Sequence, residues 1–365
     1  MIYLTVVFII CFATALFSVR YPLAAAGELG QRLPNPAGFL IPAILFTLFS
    51  GLRNNLGDTF YNMHGFAVMG NNLEKPRLGD REYLYGCLTY ILRQMTDKPQ
   101  ILIYIGAVIS CVPVIYILYR YSFSYELGIF LFVATTYYTF SFNGMRQYMA
   151  AGILISGAKY MFSQDKRSWL KYALIVVLAS AAVHSSAIIM LPIYFIVRRK
   201  AWSPTSYAII FFSMLATLLF DAFLPGFLRV VAESDFSIYE ESGWFTEGIE
   251  KGSSLIRVIV VLVPVVIAYF SKERLRSLGF TGDVLINLSV INFCFYLISL
   301  YNWIFARFAI YTSVYYILLT VWLVKNSFKK KDEKLIYIIT LVLYSTFFWF
   351  ARYSIAGYKS NFFGR

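Results

Sequence analysis

Apolar runs of about 14 to 20 residues recur from one end of this chain to the other, with few charges between them. A run this apolar can satisfy its backbone N–H and C=O groups in lipid only by bonding to itself, so each reads as a helix. Strands of a transmembrane barrel would alternate apolar and polar side chains, and no such alternation is present. Only 14% of the residues are charged, where a soluble domain carries about 25%, and 59% are hydrophobic. The expectation is an all-α polytopic integral membrane protein. Residues 1–365 form a single transmembrane domain, since no stretch of soluble-domain composition is left over.

Apolar spans fall at 2–19, 38–52, 100–119, 124–142, 145–162, 169–182, 185–197, 204–222, 255–271, 283–300, 304–324 and 335–353, about twelve helices, some of them short. The first lacks a preceding basic region and is followed by Arg20, which predicts a spanning helix rather than a cleaved leader. Cys11, Cys87, Cys111 and Cys294 are scattered without metal-ligand spacing and read as small hydrophobes.

The formal charge of +13 is explained by its distribution. The basic clusters "KRSWLK" (166–171), "RRK" (198–200), "KERLR" (272–276) and "KKKDEK" (329–334) lie between alternate spans. Placing them in the cytoplasm satisfies the positive-inside rule throughout and puts both termini outside. The charge therefore sets orientation, and no nucleic-acid partner is expected. The same rule divides the apolar run 169–197. Basic clusters flank it at both ends, so it must turn back, at "AAVHSSA" (181–187), with His184 near the outer surface.

Two outer loops are long. Residues 53–99 contain "REYLYGCLTYILRQM" (81–95), whose apolar spacing predicts an amphipathic interfacial helix. Residues 223–254 are acidic and read as a solvated connection, with a mobile lid as the alternative.

On this topology Arg53, Asp58, Arg146, His184 and Arg307 gather at the outer ends of spans distant in sequence. Three arginines with few compensating acids make an anion site, and the planar guanidinium fork suits phosphate. Asn143 and Gly144 open the helix that carries Arg146 and Gln147, so its free N–H groups and dipole are expected to add to anion binding. The following "AAGILISGA" (150–158) has the small-residue spacing of a closely packed helix. Arg53 and Arg307 have a second reading as snorkelling interfacial residues. Asp58 has one as a neutralising partner of Arg53, Glu82 as a capping or neutralising group, and His184 as a hydrogen-bonded structural histidine. His64 reads as an exposed loop residue.

Three segments, "SGLRNNLGDTFYNMH" (50–64), "FNGMRQYMAAG" (142–152) and "HSSAIIMLPIYFIVRRKAW" (184–202), together resemble the EpsG family, with Met145 where that family has Ile. The resemblance implies a Wzy-like (GT-C-like) bundle acting as a polysaccharide polymerase of bacterial exopolysaccharide and biofilm operons. It would sit in the cytoplasmic membrane with its site on the outer face. The implied substrate is a polyprenyl-diphosphate-linked oligosaccharide. A chain-length regulator and other assembly proteins are the implied partners beside the lipid bilayer. On this reading Arg53, Arg146 and Arg307 hold the diphosphate, and Asn143, Gln147, Glu82 and Tyr61 line the substrate. His184 or Asp58 serves as the base. No cofactor is expected, and a metal held by Asp58 and Glu82 is the less favoured version. The alternatives are a flippase or transporter of the same lipid-linked sugar, or a ligase or acyltransferase. A transporter would call for internal repeats and mid-membrane charges, and the sequence has neither.

Overall fold

A computed structural model describes residues 2–23, 27, 30–69, 75–77, 82–220, 222, 252–351 and 357–361. Among these the chain is helical, and the one bridge of strand type joins Arg53 to Ser360. The helices are α1 (Ile2–Arg20), α2 (Ala37–Gly51), α3 (Thr59–Val68), α4 (Tyr83–Met95), α5 (Gln100–Tyr121), α6 (Tyr125–Ala134), α7 (Tyr137–Phe140), α8 (Met145–Ser156), α9 (Ala158–Phe162) and α10 (Ser168–Ala182). A 3₁₀ turn (Ser185–Ile189) leads to α11 (Met190–Val197) and α12 (Pro204–Leu218). Further along the chain come α13 (Leu255–Phe270), α14 (Lys272–Leu275), α15 (Gly279–Ile298), α16 (Ile304–Ala309), α17 (Ser313–Asn326) and α18 (Lys330–Ala351). The acidic segment expected as a connection or lid lies, for residues 223–251, outside the described residues.

Four helical stretches are long and apolar enough to cross a bilayer alone: α1, α5, residues 272–298 and α18. The other apolar helices are shorter, so length alone marks four crossings among the described residues where the apolar pattern predicts about twelve. Some expected spans are broken within. The span 124–142 divides where Thr136 takes a left-handed backbone, with φ of 68°. The span 145–162 divides at Gly157, and 304–324 divides between Ala309 and Ser313. The break expected in the run 169–197 is present: helix ends at Ala182, and His184 is extended before the 3₁₀ turn.

The chain forms two compact units. The first comprises residues 1–191 and 320–365. Within it α2 packs on α1 and α5, and α5 packs on α8. The small residues of α8 act as their spacing predicts. A Cβ at Gly152 would lie 2.0 Å from the Ile109 carbonyl oxygen, so only glycine lets α8 approach α5 this closely.

The second unit comprises residues 192–319. There α15 packs on α12, α13 and α16. Buried Asn287 donates to the carbonyls of Val197 and Arg199 at 3.0 and 2.7 Å, which joins the end of α11 to α15. Arg307 belongs to this unit, and its guanidinium lies 4.6 Å from the Trp303 ring centre.

Candidate functional site

The loop after α2 carries Arg53, Gly57 and Asp58, and the site is assembled around it. Gly57 has a φ of +58°, and a Cβ there would lie 2.0 Å from the Phe142 carbonyl oxygen. Glycine is thus required twice over, for the left-handed backbone and for direct contact with the residue that precedes "NGMRQ". That contact delivers Asp58 to the start of α8, where one carboxylate oxygen accepts the N–H groups of Gly144 and Met145 at 3.0 and 2.8 Å. The first donors of this helix, expected to be open to an anionic ligand, are therefore taken by a carboxylate of the chain itself. Asp58 does the work of an N-cap from 87 residues away.

Arg53 is 1% exposed. Its Nε donates to Thr59 Oγ1 at 2.8 Å, and Nη1 donates to the Ser50 carbonyl and hydroxyl at 2.5 and 2.8 Å. The Phe142 ring centre lies 4.8 Å from the guanidinium carbon. Burial lowers the arginine pKa, and the charge of Asp58 acts in the opposite direction. Arg53 thus pins the end of α2 to the start of α3 rather than presenting its charge at the surface.

A second layer comes from the C-terminal segment, which the sequence did not single out. Tyr358 stacks on Phe49 at 4.2 Å and donates its hydroxyl to the Phe49 carbonyl at 2.9 Å. Lys359 accepts from the Asn54 N–H at 3.1 Å and donates its own to Asn55 Oδ1 at 2.8 Å. Tyr358 and Lys359 so clasp the loop that holds Arg53.

Beside this scaffold lies a polar cluster. Arg146, with a half-exposed side chain, pairs with Glu82, which is largely buried. The second oxygen of Glu82 lies 3.9 Å from His184 Nδ1. That nitrogen faces the Ser186 N–H at 3.4 Å and hydroxyl at 3.2 Å, and buried Gln147 donates to the same hydroxyl at 3.4 Å. Glu82 holds a left-handed backbone at φ 54°, unusual for a residue with a Cβ. Strain of this kind costs on the order of 1–3 kcal/mol and collects at sites whose geometry the surroundings impose. The amphipathic α4, which starts at the next residue, supplies Tyr85. Its ring centre is 5.4 Å from the Arg146 guanidinium, and its hydroxyl donates to Asn62 at 3.2 Å. Burial raises that phenol to about 12, against the opposing charge of Arg146, so it stays a donor.

The first unit thus brings together Asp58, Arg146, Gln147, Glu82 and His184 and buries Arg53 beside them, whereas Arg307 lies in the second unit. Asn143 is exposed at the α8 turn, and Tyr61 is 77% exposed on α3. Tyr148, on α8, is buried against Tyr137. His64 lies within α3, stacked on Phe60, rather than in a loop. Ser186 went unnoticed as a participant although it stands in the quoted "HSSA", because a hydroxyl carries no signal until a ring is placed beside it. Among the described residues, no three His, Cys, Asp or Glu side chains converge to hold a metal ion.

The family model described as EpsG family matches residues 37–363, which include every residue of the cluster. No curated protein and no solved structure matches the chain.

Proposed function

The chain belongs to the EpsG family, and from that premise we propose that it is a membrane polysaccharide polymerase. It would join polyprenyl-diphosphate-linked oligosaccharides into exopolysaccharide at the outer face of the bacterial cytoplasmic membrane. The observation that supports the reading is Glu82, held between a half-exposed arginine and a histidine at the end of the α10 break.

In the reaction an acceptor hydroxyl attacks the anomeric carbon of the lipid-linked sugar. A new C–O bond forms, the bond from that carbon to the diphosphate oxygen breaks, and its electron pair leaves with the lipid diphosphate. Arg146 is the group for the departing charge, because a guanidinium donates to phosphate in a fork and stays ionised. Glu82 pairs with Arg146 Nη1 in the resting site and would give it up to phosphate oxygens. His184 takes the hydroxyl proton, and Glu82 steadies the imidazolium that results. Asp58 and Arg53 are assigned to holding the scaffold, since Asp58 Oδ2 caps α8 and the Arg53 guanidinium bonds Ser50 and Thr59; Asp58 Oδ1 is buried with no hydrogen-bond partner among the described residues. Gln147 orients Ser186, and Tyr61 and Asn143 are open to the sugars.

The test uses purified protein in nanodiscs with a polyprenyl-diphosphate-linked repeat unit. Polymer length is followed for the wild type and for Arg146→Ala, His184→Ala and Glu82→Gln. Polymer should form with the wild type and fail with the first two variants. Unimpaired polymerisation by Arg146→Ala would sink the diphosphate assignment. Movement of the lipid-linked sugar across the bilayer without polymer would point to a transporter.

A further inference from the structure

Two helices of the first unit have the candidate site at one end only. Gly51 closes α2 next to Arg53, and Gln100, which opens α5, donates to the carbonyls of Gly51 and Arg53 at 2.6 and 3.0 Å. Their other ends are Ala37 and Tyr121, and the 22 residues of α5 at about 1.5 Å each put Tyr121 about 33 Å away, the thickness of a bilayer core. At that far end is a pocket of about 390 Å³, lined among others by Arg20, Gln31, Arg32, Ser122 and Phe123.

The walls of this pocket are built. The links Asn35 N–H to Ser18 carbonyl (3.0 Å) and Leu23 N–H to Leu33 carbonyl (2.9 Å) close the connection between α1 and α2. Gln31 donates to the Arg120 carbonyl at 2.8 Å, and Tyr119 donates to the Pro34 carbonyl at 2.8 Å, tying that connection to the end of α5. Phe123 packs edge-on against Trp322 at 5.3 Å. Into this frame project two kinds of unfilled donor. Arg20 and Arg32 have no acidic partner within 4 Å among the described residues. Ser122 is 3% exposed, and its hydroxyl has no hydrogen-bond partner among the described residues. The neighbouring Glu126 turns one carboxylate oxygen to Ser124, and Glu28 lies outside the described residues.

We propose that this pocket holds the phosphate of an anionic lipid headgroup, with Arg20 and Arg32 as its charged ligands and the Ser122 hydroxyl as a third donor. Arginine and hydroxyl donors around a hollow match a phosphodiester, and the charge pattern assigns this end of the helices to the cytoplasm, where anionic lipids concentrate. A lipid is favoured over free phosphate because α1 leads away from the pocket with its apolar side chains uncovered. Phe17 is 60% exposed and Leu16 44%, a surface on which acyl chains would lie. The proposal does not depend on the polymerase reading, since it is tested by binding alone.

Native mass spectrometry of the full chain in detergent, titrated with phosphatidylglycerol and separately with phosphatidylcholine, gives the test. The double variant Arg20→Gln, Arg32→Gln should bind phosphatidylglycerol about tenfold more weakly, with phosphatidylcholine unaffected. Ser122→Ala, which removes only a hydroxyl, should weaken it in the same direction with an unchanged melting temperature. Lys330→Gln, Lys331→Gln removes the same charge elsewhere and should leave binding as it was. Equal binding by the arginine double variant, or an equal loss in the lysine control, overturns the site. Displacement of the lipid by millimolar inorganic phosphate would assign the pocket to a soluble anion and overturn the lipid.

Discussion

One carboxylate oxygen of Asp58 accepts the Met145 backbone N–H at 2.8 Å, and so fastens the loop after α2 to the first turn of α8. The same oxygen takes the Gly144 N–H, so one oxygen of this candidate base caps a helix end, while Oδ1 is buried with no partner among the described residues. Asp58→Ala should leave both donors bare and cost about 1–2 kcal/mol, read as a lower melting temperature in detergent. Asparagine caps nearly as well as aspartate, so Asp58→Asn should retain most of the stability and most of the polymerisation. A full loss of activity in Asp58→Asn with normal melting would return the role of base to Asp58.

Glu82 stands between Arg146 and His184, and its removal should be felt by both. His184→Ala is expected to slow polymerisation by about 10² to 10⁴-fold, the usual scale of a lost general base. Glu82→Gln should fall within the same direction but less far, because the amide still accepts a hydrogen bond from Arg146. Initial rates of polymer formation at saturating lipid-linked substrate make the comparison.

Arg53 is buried among three donor–acceptor contacts whose geometry follows its planar fork. Lysine carries the charge but cannot reach Thr59 and Ser50 together, so Arg53→Lys should destabilise the protein by about 1–3 kcal/mol. Thermal unfolding followed by fluorescence in detergent would register it. A melting temperature unchanged from wild type would mean that Arg53 serves a ligand and not the scaffold.

The clasp of Tyr358 on Phe49 predicts that the end of the chain stabilises a distant loop. Tyr358→Ala should cost about 1–2 kcal/mol. Hydrogen exchange of residues 52–58 should rise in that variant and leave α6 unchanged.

The break at His184 can be tested by labelling. In a Cys87→Ser background the remaining cysteines are buried, so a cysteine introduced as Ser185→Cys would be the accessible thiol. It should react with membrane-impermeant reagents from outside intact cells. Protection from outside with reaction from the cytoplasm would reverse the orientation drawn from the basic clusters.

Much of the local structure was legible without coordinates. The helical class, the break in 169–197, the amphipathic α4 and the small-residue face of α8 follow from hydropathy and spacing, which act over one or two turns. So does the gathering of Asp58, Arg146 and His184, because alternating basic clusters fix which span ends share a membrane face. Span lengths were less legible, since a left-handed residue such as Thr136 ends a helix inside an apolar run.

By itself, then, the sequence determined an all-helical membrane chain and the residue types of its candidate site. Only the tertiary structure decided which of them meet. It turned Asp58 into a helix cap, sank Arg53 behind Phe142, set Glu82 between arginine and histidine, and brought Tyr358 back to Phe49. The reason is physical: hydropathy reports which environment a residue prefers, whereas a hydrogen bond or ion pair depends on a partner within about 3–4 Å. Partners separated by 64 or 87 residues are found only once the chain has folded.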